Sequence, residues 1–120
     1  MSRALSILVL DDNVDNADAL AELLSMDDHV VKVAYNGQDA IDAYSSGKFD
    51  LGFFDVMMPG KNGVESFLEI RAQNPDAKIY FMTGYSADDL VKKAIAGGAL
   101  GVFDKPVDLT TMLDAVERAA

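Results

Sequence analysis

Apolar and polar positions follow two alternating patterns along the chain. Short apolar runs suit strands that are buried on both faces. We predict these strands at residues 5–10, 30–35, 50–54, 77–82 and 100–103. After each run, apolar residues recur three and four positions apart, which is the spacing of one face of an α-helix. The first helix carries this stripe at Ala17, Leu20, Ala21 and Leu24. The pattern predicts five strands that alternate with five helices.

Proline, glycine and polar residues mark the expected ends of the helices. The proline in Asn74-Pro75 disfavours helical geometry in the residue before it, so the third helix is expected to end there. Ser86 and Asp108 are predicted N-caps of the fourth and fifth helices. Gly97 is expected to end the fourth helix together with the glycine that follows it. These signals agree with helices that each follow one of the predicted strands.

Alternating apolar strands and helices predict an α/β fold. Right-handed crossovers between parallel strands put helices on both faces of the sheet. We therefore expect a doubly wound, flavodoxin-like, five-stranded parallel sheet with the strand order 2-1-3-4-5. Ligands of such folds bind beyond the carboxyl ends of the strands, between the first and third. No linker or repeat interrupts the pattern, so residues 1–120 are expected to form one domain with no output domain.

Charge and composition narrow the possible partners. The chain has a formal net charge of −10, which repels nucleic-acid backbones and anionic lipid surfaces. It contains no cysteine, which excludes disulfides, thiolate metal sites and a cysteine nucleophile. Its aliphatic runs are far shorter than the roughly 20 residues of a membrane span. We expect a soluble, cytoplasmic protein that binds neither nucleic acid nor membranes directly.

Polar residues follow four of the five predicted strands. They are Asp11, Asp12, Asp55, Thr83 and Lys105. The carboxyl ends of parallel strands share one edge of the sheet, so the three aspartates are expected to lie close together. Their mutual repulsion would be relieved by a divalent cation, and Lys105 would balance the remaining charge. Oxygen donors without histidine or cysteine favour a hard cation, Mg²⁺ in particular.

The same residues suit phosphoryl transfer. An aspartate can act as a nucleophile and form an acyl phosphate. We choose Asp55 for this role because it ends the central strand. Lys105 can neutralise charge that develops on the phosphoryl group, and the hydroxyl of Thr83 can donate a hydrogen bond to it. Gly60 and Gly63 would permit a tight loop after Asp55.

An ordered set of motifs then resembles a known family. They are LDDN at residues 10–13, DVMMPGKNG at 55–63, MTGY at 82–85 and FDKPV at 103–107. Together they resemble the receiver domains of two-component response regulators over essentially the whole chain. The resemblance implies that Asp55 accepts a phosphoryl group from a histidine kinase or a phosphotransfer protein. It also implies that the chain is no turnover enzyme, but assists its own phosphorylation and dephosphorylation.

The resemblance assigns ligands to the magnesium ion. Asp12 and Asp55 would bind Mg²⁺ directly, together with the main-chain carbonyl of Met57. Asp11 would act through a water molecule.

The resemblance also implies how the signal is passed on. Lys105 would pair with the phosphoryl group, and Thr83 would turn toward it. Phe103 would be the switch aromatic whose orientation changes the face formed by the fourth helix, the fifth strand and the fifth helix. That face would bind a downstream effector protein, or form a phosphorylation-dependent homodimer.

Three other hypotheses compete with this interpretation. Asp11, Asn13, Asp15 and Glu22 match positions of a calcium-binding EF-hand loop, but Asn16 stands where that loop needs glycine. A flavodoxin-type flavin carrier would share the topology, yet the paired aspartates after the first strand would repel its phosphate. A pseudo-receiver would keep the fold and bind partners without being phosphorylated.

The sequence supports a structural prediction at two further positions. His29 is predicted to be a surface residue in a turn rather than a ligand or phosphoacceptor. Gly52 interrupts the third strand, and we expect Phe53 or Phe54 to fill the space above it.

Overall fold

The computed structural model describes residues 4–26, 28–56, 58, 62–83, 88–104 and 109–119. The strands are β1 (Ser6–Leu10), β2 (Val30–Ala34), β3 (Leu51–Asp55), β4 (Ile79–Thr83) and β5 (Gly101–Asp104). The helices are α1 (Val14–Ser25), α2 (Gly37–Ser46), α3 (Gly63–Gln73), α4 (Asp88–Ala96) and α5 (Leu109–Ala119). The predicted alternation is confirmed, with strand ends that differ from the prediction by one or two residues. In the described part of the chain, each helix is too short or too polar to traverse a lipid bilayer.

The sheet has the order β2-β1-β3-β4-β5, and every neighbouring pair of strands is parallel. The predicted doubly wound, flavodoxin-like topology is therefore confirmed. Leu10 at the end of β1 pairs with Phe54 of β3. One step further along both strands, Asp11 comes beside Asp55. The carboxyl ends of the first and third strands therefore lie side by side, at the edge of the sheet where the acidic residues were expected.

Two hydrophobic clusters cover the two faces of the sheet. One joins β1, β3 and β4 to α2, α3 and α4, and the other joins the same strands to α1 and α5. The predicted stripe of α1 is largely confirmed, since Ala17 and Leu24 are fully buried. Leu68 of α3 and Ile95 of α4 are apolar, yet they are 41% and 50% exposed. Both helices bury a narrower stripe than their apolar content suggests.

Asparagine side chains cap the amino ends of three helices, and two of these helices follow the strands that carry the acidic residues. Asn13, Asn36 and Asn62 each accept a backbone N–H from the first turn of their helix. Asn62 and Glu65 form a reciprocal capping box at the start of α3. The predicted caps Ser86 and Asp108 lie outside the described residues.

His29 is buried, with only 6% of its surface exposed, so the prediction of a surface residue is wrong. The preceding residue, Asp28, has a left-handed backbone with φ of 66°. The turn places the imidazole beneath the amino end of β1, where the backbone N–H of Leu5 donates to its Nδ1 at 2.9 Å. The imidazole supplies an acceptor that this buried N–H needs.

The space beside Gly52 is filled by three side chains, those of Phe54, Ile79 and Tyr44. A Cβ at this position would meet Cε1 of Phe54 at 3.1 Å and the hydroxyl oxygen of Tyr44 at 3.3 Å. The expected contribution of Phe54 is confirmed. The contribution of Tyr44, which reaches over from α2, was not predicted.

Candidate functional site

Three aspartates form a compact cluster at the carboxyl edge of the sheet. Carboxylate oxygens of Asp11, Asp12 and Asp55 all lie within 4.8 Å of one another. Asp11 and Asp55 are buried, whereas Asp12 is exposed to solvent. Oxygen donors at this spacing, with one side open to water, suit a hard cation that retains part of its hydration shell. The donor set therefore fits Mg²⁺, the ion expected from the sequence.

Hydrogen bonds fix the chain where it leaves β1. The backbone N–H of Asp11 donates to the carbonyl of Ala34 at 3.1 Å, which extends the pairing with β2. Oδ1 of Asp11 accepts the backbone N–H of Asn13 at 3.0 Å. Oδ1 of Asn13 in turn accepts the N–H of Asn16 and caps α1. The two acids are thus held between a strand end and a helix start.

The same region rejects the EF-hand alternative. Asn13 is an N-cap, and Val14–Ser25 is one continuous helix that contains Asp15 and Glu22. A calcium loop would need these residues in an extended, curved backbone that surrounds the ion. The match with the calcium motif is therefore a coincidence of spacing.

Asp55 is held at the end of β3 by its neighbours on both sides. The N–H of Val56 donates to the carbonyl of Met82 at 3.0 Å, and the N–H of Gly63 donates to the carbonyl of Val56 at 3.2 Å. A Cβ at Gly63 would overlap the carbonyl oxygen of Asp55. The absence of a side chain at position 63 lets α3 start directly against the strand that carries the acid.

Thr83 ends the neighbouring strand β4 and is 6% exposed. Because Asp55 pairs with Met82, Thr83 lies one residue further toward the carboxyl edge. The structure thus brings together Asp11, Asp12 and Asp55 and places Thr83 on the next strand. Lys105 and Met57, the two other expected site residues, lie outside the described residues.

Phe103 and Thr83 extend from opposite faces of the sheet. Phe103 pairs with Met82 and belongs with it to the cluster that packs on α1 and α5. Side chains alternate along a strand, so Thr83 shares the face of Phe81, toward the other cluster. The structure therefore places the two expected switch residues on opposite faces of the sheet.

Two residues of β5 share the face of Thr83: Asp104, which pairs with Thr83 and is exposed, and Val102. Val102 pairs with Phe81 and packs against the cluster of α2, α3 and α4. Sequence analysis did not single it out. Residues 100–103 contain no polar position, so the sequence carries no alternation that could have found it.

Comparison with known proteins identifies the family of this chain. The sequence model of the response regulator receiver domain matches residues 7–117. Transcriptional regulatory protein ZraR from Salmonella typhimurium is 35% identical over 115 residues, which cover 96% of this chain and 26% of ZraR. The chain therefore spans about a quarter of the length of that relative.

Solved structures show the same architecture. The response regulator protein TrrA from Thermotoga maritima, solved in complex with Mg(2+)-BeF, is 30% identical with a TM-score of 0.82, and the match covers 96% of this chain and 98% of that chain. A response regulator protein from Burkholderia pseudomallei was solved with a phosphorylated aspartic acid, calcium ion and citrate. It is 28% identical with a TM-score of 0.84, and the match covers 92% of this chain and 65% of that chain.

Proposed function

Because the chain belongs to the response regulator receiver domain family, we propose that it is a phosphorylation-controlled signalling switch whose phosphoacceptor is Asp55. The position of Asp55 carries the proposal. Asp55 is the last residue of the central strand and is 5% exposed. Its carboxylate belongs to the acidic cluster with Asp11 and Asp12. The Burkholderia protein with a phosphorylated aspartic acid supports an aspartate as the acceptor.

The proposed donor is the phosphohistidine of a histidine kinase or a phosphotransfer protein. A carboxylate oxygen of Asp55 attacks the phosphorus atom, the new O–P bond forms, and the P–N bond to the imidazole breaks. The other ring nitrogen of the phosphohistidine carries a proton, so the nitrogen that keeps the electron pair of the broken bond leaves as part of a neutral imidazole. The product is an acyl phosphate on Asp55, which water later hydrolyses.

Residues around Asp55 would support this step. Asp12, Asp55 and the main-chain carbonyl of Met57 would hold Mg²⁺, with Asp11 acting through water. The ion, when bound, neutralises negative charge on the phosphoryl oxygens. The TrrA complex with Mg(2+)-BeF supports such a site in this family. We assign Lys105 to pairing with the phosphoryl group and Thr83 to donating a hydrogen bond to it.

Phosphorylation is proposed to change the face formed by α4, β5 and α5. That face would then bind a downstream effector protein or a second copy of the chain. We propose no turnover substrate, only the intrinsic gain and loss of the phosphoryl group. The exchange would take place in the cytoplasm, where histidine kinases present their phosphohistidine.

Intact mass spectrometry tests the proposal. Incubation with acetyl phosphate and Mg²⁺ should add the mass of one phosphoryl group, with acetate released. Asp55→Asn should abolish the addition, because the amide cannot form the acyl phosphate. Asp76→Asn is the matched control: Asp76 is exposed in the turn before β4, and this variant should be modified like the wild type. An unmodified wild-type protein would favour the pseudo-receiver hypothesis.

A further inference from the structure

Three aromatic rings form a contiguous cluster across β3, β4 and β5. The ring centroids of Phe53 and Tyr80 are 5.8 Å apart, and those of Tyr80 and Phe103 are 5.1 Å apart. Phe53 and Phe103 are themselves 6.2 Å apart. Each ring therefore contacts the other two within the range of favourable aromatic pairs. We call these three residues the aromatic link.

A glycine makes room for the middle ring of the aromatic link. Tyr80 pairs with Gly101 of β5. A Cβ at Gly101 would meet Cδ1 and Cε1 of Tyr80 at 3.3 Å, which is tighter than an ordinary contact. The ring of Tyr80 thus lies across β5 next to Phe103. A Cβ at position 101 would therefore require the ring of Tyr80 to shift by a few tenths of an ångström.

The aromatic link is a direct contact between the first and third of three neighbouring strands. In the sheet, β3 and β5 both pair with β4 and not with each other. Phe53 precedes Asp55 by two residues on the same face of β3, and it is fully buried. Phe103 is only partly buried, and no residue of the edge strand β5 is fully buried. Large, rigid rings transmit a displacement between the two strands better than flexible side chains do.

We propose that Tyr80 is a positioning residue that couples Asp55 to β5 through the aromatic link, on the sheet face opposite Thr83. The proposal rests on Asp55 being the phosphoacceptor. A phosphoryl group on Asp55 adds charge at the end of β3 and fixes that strand end against the groups that bind it. Phe53 and Tyr80 then hold Phe103, and the edge strand β5 opens less often.

Hydrogen exchange of the β5 amides tests this coupling. The wild type is compared with and without acetyl phosphate and Mg²⁺, while intact mass reports the modification. Phosphorylation should slow exchange in Gly101–Asp104 by roughly 2- to 30-fold, the range of coupling carried by packed side chains. Tyr80→Leu should still gain the phosphoryl group but lose this change. Tyr80→Phe, which keeps the ring, should retain it.

A second variant displaces the ring without removing it. Gly101→Ala should weaken the response of β5 as Tyr80→Leu does. Gly47→Ala is its matched control, because the new Cβ would lie 3.6 Å from the nearest atom and far from the aromatic link. This variant should respond like the wild type. Should Tyr80→Leu fail to fold, the pair of glycine variants decides the question.

The outcomes separate the coupling from the proposed function. A wild-type protein that gains no phosphoryl group overturns the assignment of Asp55 and the coupling with it. A normal response of β5 in phosphorylated Tyr80→Leu or Gly101→Ala overturns the coupling alone. A folded Tyr80→Leu protein that is not phosphorylated also overturns the coupling, because the ring would then act on the acceptor Asp55 rather than on β5.

Discussion

The carbonyl oxygen of Asp55 occupies the space that a Cβ on Gly63 would need. This contact brings the first residue of α3 against the last residue of β3, and the N–H of Gly63 donates to Val56 beside it. The loop that leaves Asp55 must therefore return within a few residues. A backbone oxygen cannot rotate away as a flexible side chain can, so the geometry requires glycine at position 63.

Gly63→Ala is expected to destabilise the protein, because α3 must move away from the strand end. The expected loss is about 1–3 kcal/mol, typical of an added group without space. Urea unfolding followed by circular dichroism measures it. Gly47→Ala has ordinary room for its Cβ and should change the free energy of unfolding by no more than about 0.5 kcal/mol. Equal stability of the two variants would contradict the close contact.

Mg²⁺ is expected to raise the melting temperature through the acidic cluster. At a concentration about ten times its Kd, binding to the folded state alone adds about 1.4 kcal/mol of stability. Asp12→Ala should remove most of this effect in thermal unfolding with and without the ion. Asp15→Ala removes an exposed acid of the first turn of α1 that lies outside the cluster, and should keep it. Equal stabilisation of Asp12→Ala and the wild type would refute the ligand assignment.

The fold and the acidic cluster could be predicted because several local signals agree. The strands are continuous apolar runs, and the parallel topology then brings Asp11 and Asp55 to one edge. Neither conclusion depends on the exact register of a strand. Such features are robust to an error of one residue at a strand end.

The faces of β5 and the burial of His29 could not be predicted for the opposite reason. Residues 100–103 contain no polar position, so no alternation shows which side chains share the face of Thr83. The sequence places Phe103 near the site, but only the pairing with Met82 shows its face. A single histidine between Asp28 and Val30 belongs to no periodic pattern either. Its burial follows from the N–H of Leu5, a partner 24 residues away.

His29→Leu should destabilise the protein by about 1–3 kcal/mol, because it leaves the buried N–H of Leu5 without an acceptor. His29→Asn is the informative comparison, since its Oδ1 can take the position of Nδ1 and accept the same N–H. Urea unfolding should show a clearly smaller loss for the asparagine variant. If both variants lose the same stability, the imidazole contributes through packing and not through this hydrogen bond.

We expect the protein to lose stability at alkaline pH because of Tyr44. Its hydroxyl is buried beside Gly52, and none of the described residues forms a hydrogen bond with it. Burial, and then the negative charge of Asp50, raises the pKa of Tyr44 well above its ordinary value of 10.0. The unfolded chain releases this proton near pH 10, whereas the folded protein retains it. The contribution of Tyr44 to stability is therefore complete below about pH 10 and declines as the pH rises further.

The urea midpoint of the wild type should therefore be lower at about pH 11 than at about pH 9. Tyr44→Phe should remove most of this decrease. At neutral pH the same variant should be neutral or slightly stabilised, because it deletes a buried hydroxyl that lacks a partner. Tyr35→Phe is the control. The pKa of Tyr35 is also raised, first by the hydrogen bond that its hydroxyl donates to Asp18, but solvent screens this exposed pair. Tyr35→Phe should lose almost as much stability at alkaline pH as the wild type does. If Tyr44→Phe loses as much stability as the wild type, another group is responsible for the pH dependence.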